Sequence, residues 1–116
     1  MLFDHNVPKR FRREMSGHQV STTREMGWST LTNGILLKAA AQGGFGAFIS
    51  IDKKIEHEQN LKSLPLPVIV IDAVSNTLPA VLPFAPAILE LLKSPLDPVL
   101  HVVEPTGVVH RLATPR

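Results

Sequence analysis

The chain has four aspartates, and three of them stand where an apolar run stops: Asp4 in LFDHN, Asp52 in FISIDKK and Asp72 in VIVIDA. Carboxylates gathered at one edge repel each other unless a cation lies between them. Carboxylate oxygens with retained waters are the usual surroundings of Mg²⁺, an ion that pairs with phosphate. A cation held this way activates water and neutralises charge on a phosphodiester. Basic residues follow directly in the sequence: Lys9, Arg10, Arg12 and Arg13 after Asp4, and Lys53 and Lys54 after Asp52. Acids at an edge with cations around them suit a polyanion cut by a metal-bound water. The plainer reading of a strand-end aspartate is a cap for the following turn. That reading applies best to Asp72, because DAVSNT reads as a turn in which the aspartate bonds backbone N–H groups. A basic run is likewise often only the solvated face of a helix.

Other chemistries find less support. With no cysteine there is no disulfide, zinc thiolate or thiol nucleophile. GGFGAF precedes a strand, whereas a phosphate-binding loop follows one and opens a helix. The five histidines lack metal-binding spacing, and His57 reads as a surface residue. There is no nucleophile elbow. Trp28, the only tryptophan, reads as a core or lid residue. The net charge of +2 and a pI near 9.3 agree with an anionic partner without requiring one. No apolar run approaches the roughly 20 residues that cross a bilayer, and the N-terminus shows no signal-peptide pattern. The expectation is a cytoplasmic protein with no membrane partner.

The elements that would carry these residues follow from periodicity. At 116 residues and 44% hydrophobic content the chain is one domain with a real core. Leu2–Asp4 closes a short buried strand. Val7, Phe11 and Met15 then fall four apart, one stripe of a helix with its basic residues toward solvent. Asn6 is a candidate N-cap, and Pro8 suits the first turn. Residues 18–22 read as a second strand. Thr30 or Thr32 starts a helix with Leu31, Ile35, Leu36, Ala39 and Ala40 on its apolar face. Residues 45–51 and 67–72 are apolar on both faces, the pattern of strands buried inside a parallel sheet. Residues 53–67 hold a helical turn. Thr77 caps a last helical region in which Pro83 and Pro86 predict a kink or a late start. Two β-rich runs around EPTG read as a C-terminal hairpin, or a strand and tail, over residues 94–116.

Strands alternating with helices give an α/β sandwich with a mostly parallel sheet. Ligands bind such sheets at the C-terminal strand edge, where the strand order reverses. An order near 2-1-3-4 puts Asp4 and Asp52 across that point.

LFDHNVPKRFRREMSGHQVSTTREMGW, LTNGILLKAAAQGGFGAFISIDKKIEHEQNL and PVIVIDA together resemble the DUF5615 family of PIN-like proteins. The resemblance covers about residues 1–93. It rests on Asp4-His5-Asn6, Arg24–Trp28, Asn33-Gly34, Ser50-x-Asp52-Lys53 and Gln59–Leu61. It implies a Rossmann-like, three-layer PIN-like fold with helices on both faces. It also implies an Mg²⁺- or Mn²⁺-dependent ribonuclease of the kind found as toxins beside a small antitoxin-like protein. By position, Asp4 and Asp52 would be the metal carboxylates, with Asn6 and Lys53 as polar neighbours. Ser50 stands where relatives have Ser or Thr ahead of the aspartate. At 33–35, where relatives place an acid, this chain has Asn33-Gly34-Ile35. An amide is the weaker ligand for a hard cation, so Asn33 and Asp72 are minor metal candidates, and Glu25 is another acid that could take the missing place.

The expectation is therefore a metal-dependent ribonuclease. Lys9, Arg10, Arg13, Lys53 and Lys54 would hold RNA phosphates, and a homodimer is possible. The alternative is a catalytically inactive RNA- or protein-binding module of the same fold. A receiver-like phospho-acceptor ranks lower, because Asp4 lacks an acidic neighbour and Lys53 adjoins Asp52 instead of following a later strand.

Overall fold

The two-faced apolar runs become the strands of a single sheet in the computed structural model, which describes residues 1–116. The strands are β1 (Leu2–Phe3), β2 (Ser21–Thr22), β3 (Phe48–Ser50), β4 (Val68–Ile71), β5 (Leu100–Val103) and β6 (Val109–Leu112). They stand in the order β2-β1-β3-β4-β5-β6. The first five are parallel, and β6 runs antiparallel to β5. The expected 2-1-3-4 order is present, and the C-terminal hairpin extends the same sheet. Its tight turn is closed by the Gly107 N–H bonding the Glu104 carbonyl at 2.9 Å. Gly107 takes φ +88°, where a side chain would be strained.

Alternation along the strands divides the core into two layers. Phe3, Ile49, Ile69, Ile71 and Val103 face one side, against Val7, Phe11, Met15, Val81, Phe84 and Ile88. Leu2, Phe48, Val68, Val70, Leu100 and Val102 face the other, against Leu36, Leu37, Ala40, Ile55 and Leu61. The result is a sheet with helical segments on both faces, a three-layer α/β sandwich. Helix α1 (Asn33–Gln42) starts after Thr32, as its pattern predicts. Helix α2 (Ile55–Glu58) is the expected short turn after β3. Thr77 precedes α3 (Leu78–Val81), and a 3-10 turn over Leu82–Phe84 separates it from α4 (Ala85–Leu91). The break falls where Pro83 and Pro86 remove backbone donors.

The first helix differs from its sequence pattern. Val7, Phe11 and Met15 are all buried as a stripe, and Phe11 packs on Phe3 with ring centroids 6.0 Å apart. The segment Lys9–Glu14 nevertheless winds as a 3-10 helix preceded by Pro8, with Asn6 outside it. Asn6 is not the cap because its side chain reaches across to β3 instead. No helix is long and apolar enough to cross a membrane.

Candidate carboxylate site at the parallel strand ends

The register determines which residues meet at the strand ends. Phe3 pairs with Ile49, so Asp4 comes level with Ser50. Ser50 pairs with Val70, so Asp52 comes level with Asp72. β1 and β3 flank the point where the strand order reverses, the expected ligand edge of an open α/β sheet.

Ser50 is the hub of what gathers there. Its hydroxyl is completely buried and donates to Asp4 Oδ2 at 2.7 Å. The same oxygen accepts the Asp52 backbone N–H at 3.0 Å and the Asn6 amide at 3.5 Å. Asn6 Oδ1 in turn accepts the Ile51 N–H at 3.3 Å. Asp4 is 2% exposed, and its Oδ1 accepts the His5 N–H at 2.8 Å, with His5 Nδ1 at 2.9 Å. Both of its oxygens are thus hydrogen-bonded, the usual condition for burying a carboxylate. Asp52 is half-buried. Its Oδ1 accepts the Lys54 N–H at 3.0 Å, and its Oδ2 receives the Asn33 amide at 3.4 Å from the first residue of α1.

The structure therefore brings Asp4, Asn6, Asn33, Ser50 and Asp52 into one network. The other predicted residues go elsewhere. Lys53 turns to Asp72, with Nζ 2.6 Å from Oδ1, so Asp72 is a paired charge and not a third repelled carboxylate. Lys53, Asp72, Glu56 and Arg116 surround a separate cavity of about 190 Å³. There the Arg116 guanidinium and N–H hold the Glu56 carboxyl below its ordinary range. Glu25 also lies outside the network. It receives Arg12 through two bonds of 3.0 and 3.1 Å, and Lys9 stands 3.5 Å away. Arg10, Arg13 and Lys54 are exposed, and none forms an ion pair. Trp28 meets Phe45 edge-on at 6.1 Å, a packing role. His57 is exposed beside Glu56.

Two features escaped the sequence reading. Thr22 and Glu25 form a reciprocal capping box: the Thr22 N–H bonds Glu25 Oε1 at 3.0 Å, and the Glu25 N–H bonds Thr22 Oγ1 at 3.2 Å. The signal was present as Thr-x-x-Glu. The other feature is a polar cavity of about 430 Å³ beside Asp4, over the ends of β1 and β2. Its wall is drawn from four separate stretches of chain, so no local motif announces it.

No three His, Asp or Glu side chains converge anywhere in the chain. The network offers two carboxylates, two amides and a hydroxyl. Hard oxygen donors of this kind fit Mg²⁺ or Mn²⁺ as a hydrated ion that keeps waters and is completed by a substrate phosphate. They do not form a closed protein cage. No protein-family model, curated protein or solved structure matches the chain.

Proposed function

We propose that this protein is a PIN-like, metal-dependent ribonuclease acting as the toxin component of a toxin–antitoxin pair. The observation that carries the reading is the hydrogen-bonded link from Asp4 through Ser50 to Asp52 across the β1/β3 switch point. Asp4 and Asp52 would hold Mg²⁺ or Mn²⁺. When bound, such an ion supplies an activated water and neutralises phosphate charge. Ser50 fixes the Asp4 carboxylate and the backbone that carries Asp52. Asn6 locks Ile51 and Ser50 to the β1 end. Asn33 orients Asp52 from the start of α1. Arg10, Arg13 and Lys54, free of acidic partners, draw the RNA backbone to this edge through long-range attraction. Lys53 contributes less than its position suggests, because Asp72 neutralises it.

The same network supports a second reading, an inactive RNA- or protein-binding module. The observation favouring it is the Asn33 amide on Asp52, where a third carboxylate would strengthen an ion site. One experiment separates the two. Wild type, Asp4→Asn and Asp52→Asn are assayed for cleavage of single-stranded RNA with Mn²⁺, alongside calorimetric titration of the ion. The ribonuclease reading expects millimolar or tighter Mn²⁺ binding and loss of cleavage by about 100-fold or more in each variant. Absence of Mn²⁺ binding and of cleavage in the wild type supports the binding module. Cleavage by both variants at the wild-type rate refutes the site assignment.

A further inference from the structure

The cavity beside Asp4 has most of its wall unused by the reading above. At about 430 Å³ it lies within the size range of ligand pockets. Its lining is unusual for a pocket, because only one of eleven residues is hydrophobic. Thr22, Ser29 and Asn76 bring hydroxyl and amide groups to it. Thr23 also lines it, and its buried hydroxyl has no partner in the protein, a group that is costly to leave unpaired. Arg24 adds an exposed guanidinium that forms no ion pair. The buried Asp4 carboxylate also lines the cavity, with His5 against it.

That distribution orients whatever enters. With no cation on Asp4, an anion is repelled by that carboxylate and attracted by Arg24, since Lys9, the other cation of the wall, stands 3.5 Å from Glu25, whereas hydroxyl donors suit the carboxylate. No Phe, Tyr or Trp lines the cavity, and its one ring, that of His5, is hydrogen-bonded to Asp4, so a base finds little to stack on. We propose that the cavity seats one ribose-phosphate unit of single-stranded RNA, with the phosphate on Arg24 and the sugar hydroxyls toward Asp4. The seat rests on the ribonuclease reading and assigns that enzyme a place for its strand. It recognises the backbone and not the base. Contact with the 2′-hydroxyl is what distinguishes RNA from DNA at such a seat.

Binding of a short fluorescein-labelled single-stranded RNA, and of DNA of the same sequence, is followed by anisotropy in EDTA over a range of salt. Arg24→Gln is expected to weaken RNA binding on the order of tenfold and to lower the slope of log K against log salt by about 0.7, one phosphate on a single strand. Lys38→Gln, an exposed cation on α1, is expected to leave that slope unchanged. Urea unfolding of each variant verifies the fold. An unchanged slope in Arg24→Gln, an equal loss in Lys38→Gln, or equal wild-type affinity for RNA and DNA would overturn the proposal. The two readings fail separately. If Asp4→Asn cleaves like wild type while Arg24→Gln alters the slope, the catalytic assignment falls and the seat stands. If Asp4→Asn stops cleavage while Arg24→Gln binds normally, the seat falls and the enzyme stands.

Discussion

Ser50 donates to Asp4 Oδ2 at 2.7 Å and accepts the Asp52 N–H at 3.0 Å, so one hydroxyl serves both strand ends. Removing it leaves a buried carboxylate one donor short and a backbone N–H without its partner. An unmet buried polar group costs about 1–3 kcal/mol. Ser50→Ala is therefore expected to lower the urea unfolding free energy by that amount, and Ser50→Thr by less because its hydroxyl can take the same place. A loss below about 0.5 kcal/mol in Ser50→Ala, at the scale of an ordinary surface change, would show that water replaces the hydroxyl freely. The aspartates themselves were legible in the sequence, because an acid ending an apolar run is placed by the strand. Their partners were not. Asn6 reads as a helix cap by local rules, yet it spans 45 residues to the Ile51 N–H. Lys53 reads as a site cation beside Asp52, yet the register sets Asp72 level with Asp52 and Lys53 pairs there. Both outcomes depend on long-range pairing, which a local pattern does not contain.

The segment from the 3-10 helix to the turn after β2 is tied together by charge at its exposed side. Arg12 binds both oxygens of Glu25 and also reaches the Val20 carbonyl at 3.4 Å. The Arg12 bonds, followed by the Thr22 N–H, hold the Glu25 carboxyl down at about 2. A carboxylate lowered in the folded state adds stability that is complete above its ordinary pKa near 4.5 and is lost as pH falls toward about 2. Acid unfolding of the wild type is expected to steepen in that window, and Glu25→Gln should flatten it. Identical acid profiles in the two proteins would mean that solvent screens the pair completely. The apolar stripe of Val7, Phe11 and Met15 was readable from the sequence, but the kind of helix was not. Burial of all three requires only that they face the sheet, and a 3-10 winding behind Pro8 satisfies that as well as an α-helix does.

At the scale of the molecule, the sheet positions the site and the hairpin completes the sheet. β5 forms four register pairs with β4 and buries every one of its residues, so β4 is an interior strand. β6 then supplies the outer edge in the antiparallel sense that a short hairpin permits. Alternation puts Leu100 and Val102 on one face and leaves the other to His101 and Val103. His101 is 1% exposed, with Nε2 3.2 Å from the Asp97 carbonyl and Nδ1 unpartnered. Burial lowers its pKa, while the Asp97 carbonyl opposes that shift and the Arg111 charge nearby adds to it. The imidazole is therefore folded in its neutral form. As pH falls below about 6.5 the unfolded chain takes up the proton first, so stability is complete above that pH and declines beneath it. The other lowered side-chain groups, Glu25 and Glu56, titrate below 4.5 and stay ionised across this window. The urea midpoint is expected to fall between pH 7 and pH 5 in the wild type. In His101→Met, which keeps an apolar side chain in that space, the fall should be largely absent. Equal declines in both proteins would place the titrating group elsewhere and leave His101 as a packing residue alone.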